Sequence, residues 1–114
     1  MPVRPDRAAG VTAARLVDRT FAALSDPHRR RVVELLSERP RSAGELAREV
    51  GLKPPAMSRH LRALRDSRLV DEVSPASDAR VRIYRLRPQP MAHLKTWLEQ
   101  AEQAWTAQLS AEGG

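Results

Sequence analysis

The sequence predicts a mainly α fold with a small β wing: five helices and a two-stranded hairpin in the order α-α-α-α-β-β-α. Three observations lead there. Apolar residues recur three and four apart in five stretches, separated by breaks rich in Pro, Gly, Ser and Asp. One later segment, Arg80 to Leu86, instead alternates basic and apolar with the period of two that belongs to a half-buried strand. The aromatics are only Phe21, Tyr84, Trp97 and Trp105, so the core of a chain that is 41% hydrophobic must be built from Leu, Val and Ala. That composition suits packed helices better than a sheet. At 114 residues the chain fits one domain with a modest core.

Residues 1–11 carry two prolines and a glycine without periodicity and are expected to form a flexible tail, as are residues 110–114; the folded domain is expected over 12–109. From Ala13, the residues Leu16, Val17, Phe21 and Leu24 mark one face of a first helix. Ser25-Asp26-Pro27 breaks it. Asp26 is placed to cap a second helix, with Pro27 at the first helical position, where a missing N–H costs nothing. That helix turns Val32, Val33, Leu35 and Leu36 inward and ends near Arg39-Pro40. Ser42-Ala43-Gly44-Glu45 has the S-x-x-E form of a capping box and opens a third helix, with Leu46, Ala47 and Val50 inward and Gly51 as its left-handed stop. At about two turns this helix is too short to stand alone.

Pro54 opens a fourth helix running to about Ser67, with Met57, Leu61 and Leu64 on its inner face. Its outer face shows Ser58, Arg59, Arg62 and Arg65. Two helices joined by a short Gly-containing turn, the second basic on its outer face, make a helix-turn-helix. Leu69 to Val73 and Arg80 to Leu86, joined by the turn residues Ser74 to Ala79, make a hairpin with a basic edge, hence a wing. Pro88 and Pro90 end it. A last helix, from about Met91 to Leu109, carries Met91, Leu94, Trp97, Leu98, Ala101, Trp105 and Leu109 on a wide apolar stripe.

Composition removes several function classes. The absence of cysteine excludes disulfides, thiolate metal sites and thiol redox sensing. No stretch approaches the roughly 18 apolar residues of a membrane span, and Met1 to Gly10 lacks the apolar run of a secretory signal, so a cytoplasmic location away from membranes is expected. No G-x-S-x-G, acid–His pairing or acidic metal cluster is visible; no catalytic residue, metal ligand or cofactor is assigned. His28 is expected to face phosphate or water, His60 to pack on the helix-turn-helix core or bond a backbone carbonyl, and His93 to lie on the surface. Charge is the positive signal. The formal net charge is +6, and residues 27–68 hold eleven basic against five acidic side chains, whereas residues 91–114 hold only Lys95 against three acids. A basic patch favours polyanions through counterion release, although a solvated arginine-rich surface gives the same count.

Four stretches in sequence then resemble the ArsR/SmtB family of winged helix-turn-helix repressors: Leu24-Ser25-Asp26-Pro27-His28-Arg29-Arg30, Ser42-Ala43-Gly44-Glu45-Leu46-Ala47, Met57-Ser58-Arg59-His60-Leu61-Arg62-Ala63-Leu64 and Arg82-Ile83-Tyr84-Arg85-Leu86. The likeness covers roughly residues 13–109. It implies dimerisation through the first and last helices and operator binding by the fourth. By position it implies Pro54, Pro55, Ser58 and Arg59 at the major groove, Arg62 near a phosphate, and Arg80 and Arg82 reaching from the wing toward the flanking minor groove or backbone. The chain departs from the family's metal sensors, which carry cysteines in the third helix or Asp and His pairs along the last. Here Ser42 to Arg48 has no cysteine and His93 stands alone, so a non-metal-sensing member is expected. Lys53-Pro54-Pro55 replaces the usual Ser/Thr cap and Gln-like base reader, which shifts base readout to Ser58, Arg59 and apolar contact with thymine methyls. The wing turn Ser77-Asp78-Ala79 lacks the common Gly.

The dimer interface is expected at Leu16, Phe21, Leu94, Trp97, Leu98 and Trp105, because two tryptophans need more cover than one small chain offers. The function expected is a sequence-specific DNA-binding transcriptional regulator, a homodimeric repressor on a pseudo-palindromic operator in double-stranded DNA, its two recognition helices roughly 34 Å apart. A winged-helix protein-interaction module without specific DNA binding is the alternative. A small-molecule inducer, for instance between Phe21, Trp97 and Trp105, and regulation without any ligand both stay open.

Overall fold

Asp26 sets the first corner of the fold. Its carboxylate accepts the backbone N–H groups of His28 and Arg29 at 2.8 and 3.2 Å, ending one helix and starting the next with Pro27 in the first turn. The structure, a computed structural model, describes residues 5–75, 77–78 and 80–113. The elements are α1 (Pro5–Leu24), α2 (Pro27–Glu38), β1 (Arg41–Ser42), α3 (Ala43–Val50), α4 (Pro54–Asp66), β2 (Val70–Val73), β3 (Ile83–Leu86) and α5 (Pro88–Gly113). The chain is therefore mainly α with a small β wing, in the expected order except for the short β1 between α2 and α3.

Local chemistry fixes the other boundaries as well. The capping box of α3 is complete: Ser42 Oγ accepts the Glu45 N–H at 3.2 Å, and Glu45 Oε1 accepts the Ser42 N–H at 3.5 Å. Gly51 closes α3 at φ 80°, in the left-handed region that suits glycine. At the end of α4 the same geometry falls on Arg68, at φ 62°, with Arg68 N–H on the Arg65 carbonyl and Leu69 N–H on the Leu64 carbonyl.

Three differences from the sequence expectation have simple causes. The expected two-stranded hairpin is present as β2–β3, and β1 adds a third strand to it in the order β1-β3-β2. Arg39-Pro40 keeps the chain extended after α2, so Arg41 and Ser42 pair with Tyr84 and Ile83 before Ser42 caps α3. The β3 ladder starts at Ile83 rather than Arg80, because Val81 N–H is taken by the Asp78 carbonyl in a turn. The last helix starts at Pro88 rather than Met91: both prolines fall in its first turn, where backbone N–H groups have no helical acceptor. The outer helices also run into the segments expected as tails, α1 from Pro5 and α5 to Gly113. Residues 1–4 and 114, and Ala76 and Ala79 of the wing turn, lie outside the described residues.

One core joins α2, α3, α4 and the wing. Val32, Leu36, Leu46, Met57, Leu61, Leu64, Leu69, Val70 and Tyr84 belong to it. It holds the two helices of the turn motif and the sheet as one body. Outside it, α1 and α5 pack along each other, burying Val17, Thr20 and Leu94.

Candidate nucleic-acid interface

The turn between α3 and α4 is closed by two hydrogen bonds, Gly51 and Leu52 N–H both donating to the Ala47 carbonyl at 2.9 Å. It delivers α4 with Met57, Leu61 and Leu64 buried and the opposite face open. Pro54, Pro55, Ser58, Arg59 and Arg62 are all exposed on that open side or at its start. Lys53 makes no side-chain cap, and the two prolines remove backbone donors from the first turn. Helix N-termini commonly present such donors to phosphate, and here that first turn offers fewer of them.

The arginines of this surface divide into two groups. The guanidiniums of Arg59 and Arg62 have no partner among the described residues; the Arg62–Asp66 pair that a solvated face would favour is not formed. Arg65 and Arg82 are tied back instead. Arg65 Nη1 lies 2.7 Å from Glu72 Oε2, Arg82 Nη1 donates to Glu72 Oε1, and the Tyr84 hydroxyl donates to Glu72 Oε2 at 3.3 Å. One carboxylate thus clamps α4 to the wing. The Arg82 hydrogen bond, with the charges of Arg65 and Arg82, outweighs desolvation and holds the Glu72 carboxyl below its ordinary range. The same hydrogen bond pushes Arg82 up, while burial and Glu72 push the Tyr84 phenol up. Arg80 is almost fully exposed, its Nε 3.3 Å from Asp78 Oδ1.

A second latch ties α4 to α2. Arg29 Nε donates to His60 Nδ1 at 3.3 Å, and the His28 and His60 rings lie 5.5 Å apart. His60 therefore bonds an arginine and not a backbone carbonyl. Asp26 Oδ1 lies 3.7 Å from His28 Nδ1 and 4.0 Å from His60 Nδ1. Desolvation raises the Asp26 carboxyl, but the N–H groups of Arg29 and His28 and the two imidazoles outweigh it and hold it low. The three atoms lie close enough together to hold a cation. Two of the three are already engaged: Asp26 Oδ1 accepts two backbone N–H groups and His60 Nδ1 accepts from Arg29.

Sequence reasoning missed both devices. The signal for the first was the cross-strand position of Glu72 opposite Tyr84, which follows once the hairpin register is fixed. The second joins residues 31 apart, and nothing in the spacing announces it.

The α1–α5 face carries the other expected residues. Phe21 and Trp97 stack edge to face, 5.3 Å between centroids. Phe21, Trp97, Leu98 and Trp105 are 43, 46, 50 and 67% exposed. Leu94, by contrast, is buried within the chain and Leu16 is half-buried, so these two serve the packing of α1 on α5 more than the open face. Among the described residues no helix is long and apolar enough to cross a membrane.

A helix-turn-helix with an open basic second helix, latched to a small antiparallel wing, defines a winged helix-turn-helix DNA-binding protein. Residues 24–73 match the family model described as a helix-turn-helix domain. The HTH-type transcriptional regulator Rv2034 of Mycobacterium tuberculosis is 42% identical over 93 residues, 82% of this chain and 81% of that protein. The transcriptional repressor SdpR of Bacillus subtilis is 30% identical over 56 residues, 49% of this chain and 62% of that one. Among solved structures, the ArsR-like transcriptional regulator from Rhodococcus sp. RHA1 superposes with a TM-score of 0.74 at 28% identity, covering 88% of this chain and 92% of that one. The chain belongs to the ArsR family of winged helix-turn-helix transcriptional regulators, and it is a DNA-binding transcriptional regulator.

Proposed function

We propose that the chain is a homodimeric repressor, acting in the cytoplasm, that binds a pseudo-palindromic operator in double-stranded DNA with α4 in the major groove. The observation that carries this reading is the open face of α4. Ser58, Arg59 and Arg62 stand exposed there, both guanidiniums without a partner among the described residues, while neighbouring Arg65 is held by Glu72. Arg59 is the base reader, forking onto a purine edge, and Arg62 binds phosphate. Pro54 and Pro55 offer apolar contact to thymine methyls, and Arg80 and Arg82 bring the wing against the flanking backbone.

The dimer reading rests on the exposed apolar stripe of Phe21, Trp97, Leu98, Trp105 and Leu109 along α1 and α5. Residues 12–109 are the functional unit in this reading. Repression is favoured by the likeness to SdpR, itself a transcriptional repressor. The test is fluorescence anisotropy of the protein with its own upstream promoter DNA and a scrambled duplex, across a salt series. A promoter preference of about a thousandfold or more, falling steeply with salt, is expected. Equal binding to both duplexes refutes operator recognition at that promoter; no binding to either at low salt refutes the DNA-binding geometry.

A further inference from the structure

We propose that a cavity between α1, the end of α4 and the start of α5 binds a small organic anion, a carboxylate or phosphate monoester on an apolar body. The cavity measures about 250 Å³ and is lined by Leu16, Arg68, Arg87, Gln89, Pro90 and His93. Among the described residues no carboxylate lines it. Two arginines, a histidine and a glutamine line it together with Leu16 and Pro90, which supply an apolar wall. Arginine forks match oxyanions in bidentate geometry, and the wall gives a ring or short chain somewhere to lie. Drug-sized ligands occupy pockets of roughly 300–1,000 Å³, so the occupant here is smaller, on the scale of one ring.

Arg68 is the second, independent observation. It is the non-glycine residue with positive φ among the described residues, 62° at the C-terminal stop of α4. Glycine adopts that conformation without cost, and a Cβ does not. An arginine held there against its backbone preference is best explained by what its side chain does. Its guanidinium has no partner among the described residues. Arg87 is fixed beside it, its N–H donating to the Leu69 carbonyl at 2.9 Å, and its guanidinium is only loosely held, 3.4 Å from a part-exposed Asp71. An incoming oxyanion competes readily with such a pair.

The walls come from the α1–α5 pair and from the turn that ends α4. Given the repressor reading above, an occupant therefore bridges the dimerising helices and the reading helix and alters operator affinity. The test begins without DNA. The full chain is titrated calorimetrically with benzoate, phenyl phosphate and neutral benzamide. Saturable binding of at least one anion, with benzamide at least about tenfold weaker, is expected; which anion binds decides between carboxylate and phosphate monoester. Arg68→Gly relieves the left-handed backbone, so its melting temperature is expected not to fall while anion binding drops at least about tenfold. Arg87→Gln is expected to weaken the anion similarly. The site is refuted if neither anion binds at millimolar concentration, if benzamide binds equally, or if Arg68→Gly binds undiminished. Operator affinity unchanged by the bound anion refutes the regulatory part. A protein that takes the anion but no DNA refutes the repressor reading and leaves this site standing.

Discussion

Glu72→Gln is expected to move stability and DNA affinity in opposite directions. The carboxylate is 8% exposed and faces Arg65, Arg82 and Tyr84, yet its two guanidinium partners are 51 and 66% exposed. Two charges about 4 Å apart interact by roughly 4 kcal/mol at an effective dielectric of about 20. Screening at exposed guanidiniums reduces an ion pair to about 0.2–1 kcal/mol. The glutamine amide keeps the shape and one acceptor, so the expected loss of folding stability is about 1–2 kcal/mol, read from the urea midpoint at unchanged m. The substitution also loosens the hold on Arg65 and Arg82 and removes a negative charge from the side proposed to face DNA. Each additional phosphate contact steepens the slope of log K against log salt by about 0.9, so the variant is expected to bind duplex DNA more tightly at low salt with a slope steeper by up to about 1.8. The gain is expected on operator and random DNA alike, since phosphates carry no sequence. An unchanged salt slope would show that neither arginine lies within reach of the duplex. An unchanged urea midpoint would show that the clamp does not stabilise the wing.

Four further outcomes are expected. Arg59→Ala lowers operator affinity by about 1–3 kcal/mol, roughly fivefold to 150-fold, with a smaller effect on random DNA in the same anisotropy assay; equal losses on both would make Arg59 a phosphate contact. Gly51→Ala destabilises by about 1 kcal/mol in urea denaturation purely through its backbone, because a Cβ there meets nothing within 4 Å while φ is +80°; a stabilised variant would contradict the left-handed cap. Trp105→Glu, at a side chain 67% exposed, gives monomers in sedimentation equilibrium with helical content retained; a persistent dimer places the interface elsewhere. Finally, Asp26, Glu45 and Glu72 all have carboxyls held below their ordinary range. Their contribution is present above the unfolded carboxylate pKa of about 4 and is lost as pH falls through the lower folded values. Stability that is flat from pH 7 to about 5 and declines below about 4 is expected in urea titrations; stability that rises toward acid would contradict the sign.

The fold was legible where a residue acts on its immediate neighbours. Asp26, Ser42 with Glu45, and Gly51 each settle a boundary within one turn of themselves, so the helix limits of α2 and α3 could be read from the chain alone. Apolar spacing named Met57, Leu61 and Leu64 as the buried face of α4 for the same reason. What escaped was the product of tertiary pairing. Arg41 and Ser42 carry no strand signal of their own; they become β1 because β3 offers an edge after α2 ends. Pro88 and Pro90 read as breakers, yet a helix's first turn has no use for the N–H they lack. In the candidate site, the outward position of Arg59 and Arg62 follows from helix geometry, but the capture of Arg65 and Arg82 by Glu72 depends on where the wing folds back.

Those captured arginines bear on how the surface reads DNA. A chain with 18 arginines would be a poor discriminator if all of them were free, because mobile cations bind every phosphate about equally well. Here Arg29 is spent on His60, Arg41 on the Leu35 carbonyl and Glu38, and Arg65 and Arg82 on Glu72. Each of these bonds joins two elements or fixes a strand, and together they hold α2, α4 and the wing in one orientation. On α4, the helix proposed to read DNA, the guanidiniums unbonded among the described residues are then Arg59 and Arg62, and these latches restrain the helix that carries them. Discrimination by a bidentate contact depends on that rigidity, since an arginine on a loose helix can reach a neighbouring phosphate at little cost. Loosening the latch without touching the reading face, as in His60→Ala, should therefore lower the ratio of operator to random binding more than it lowers random binding itself.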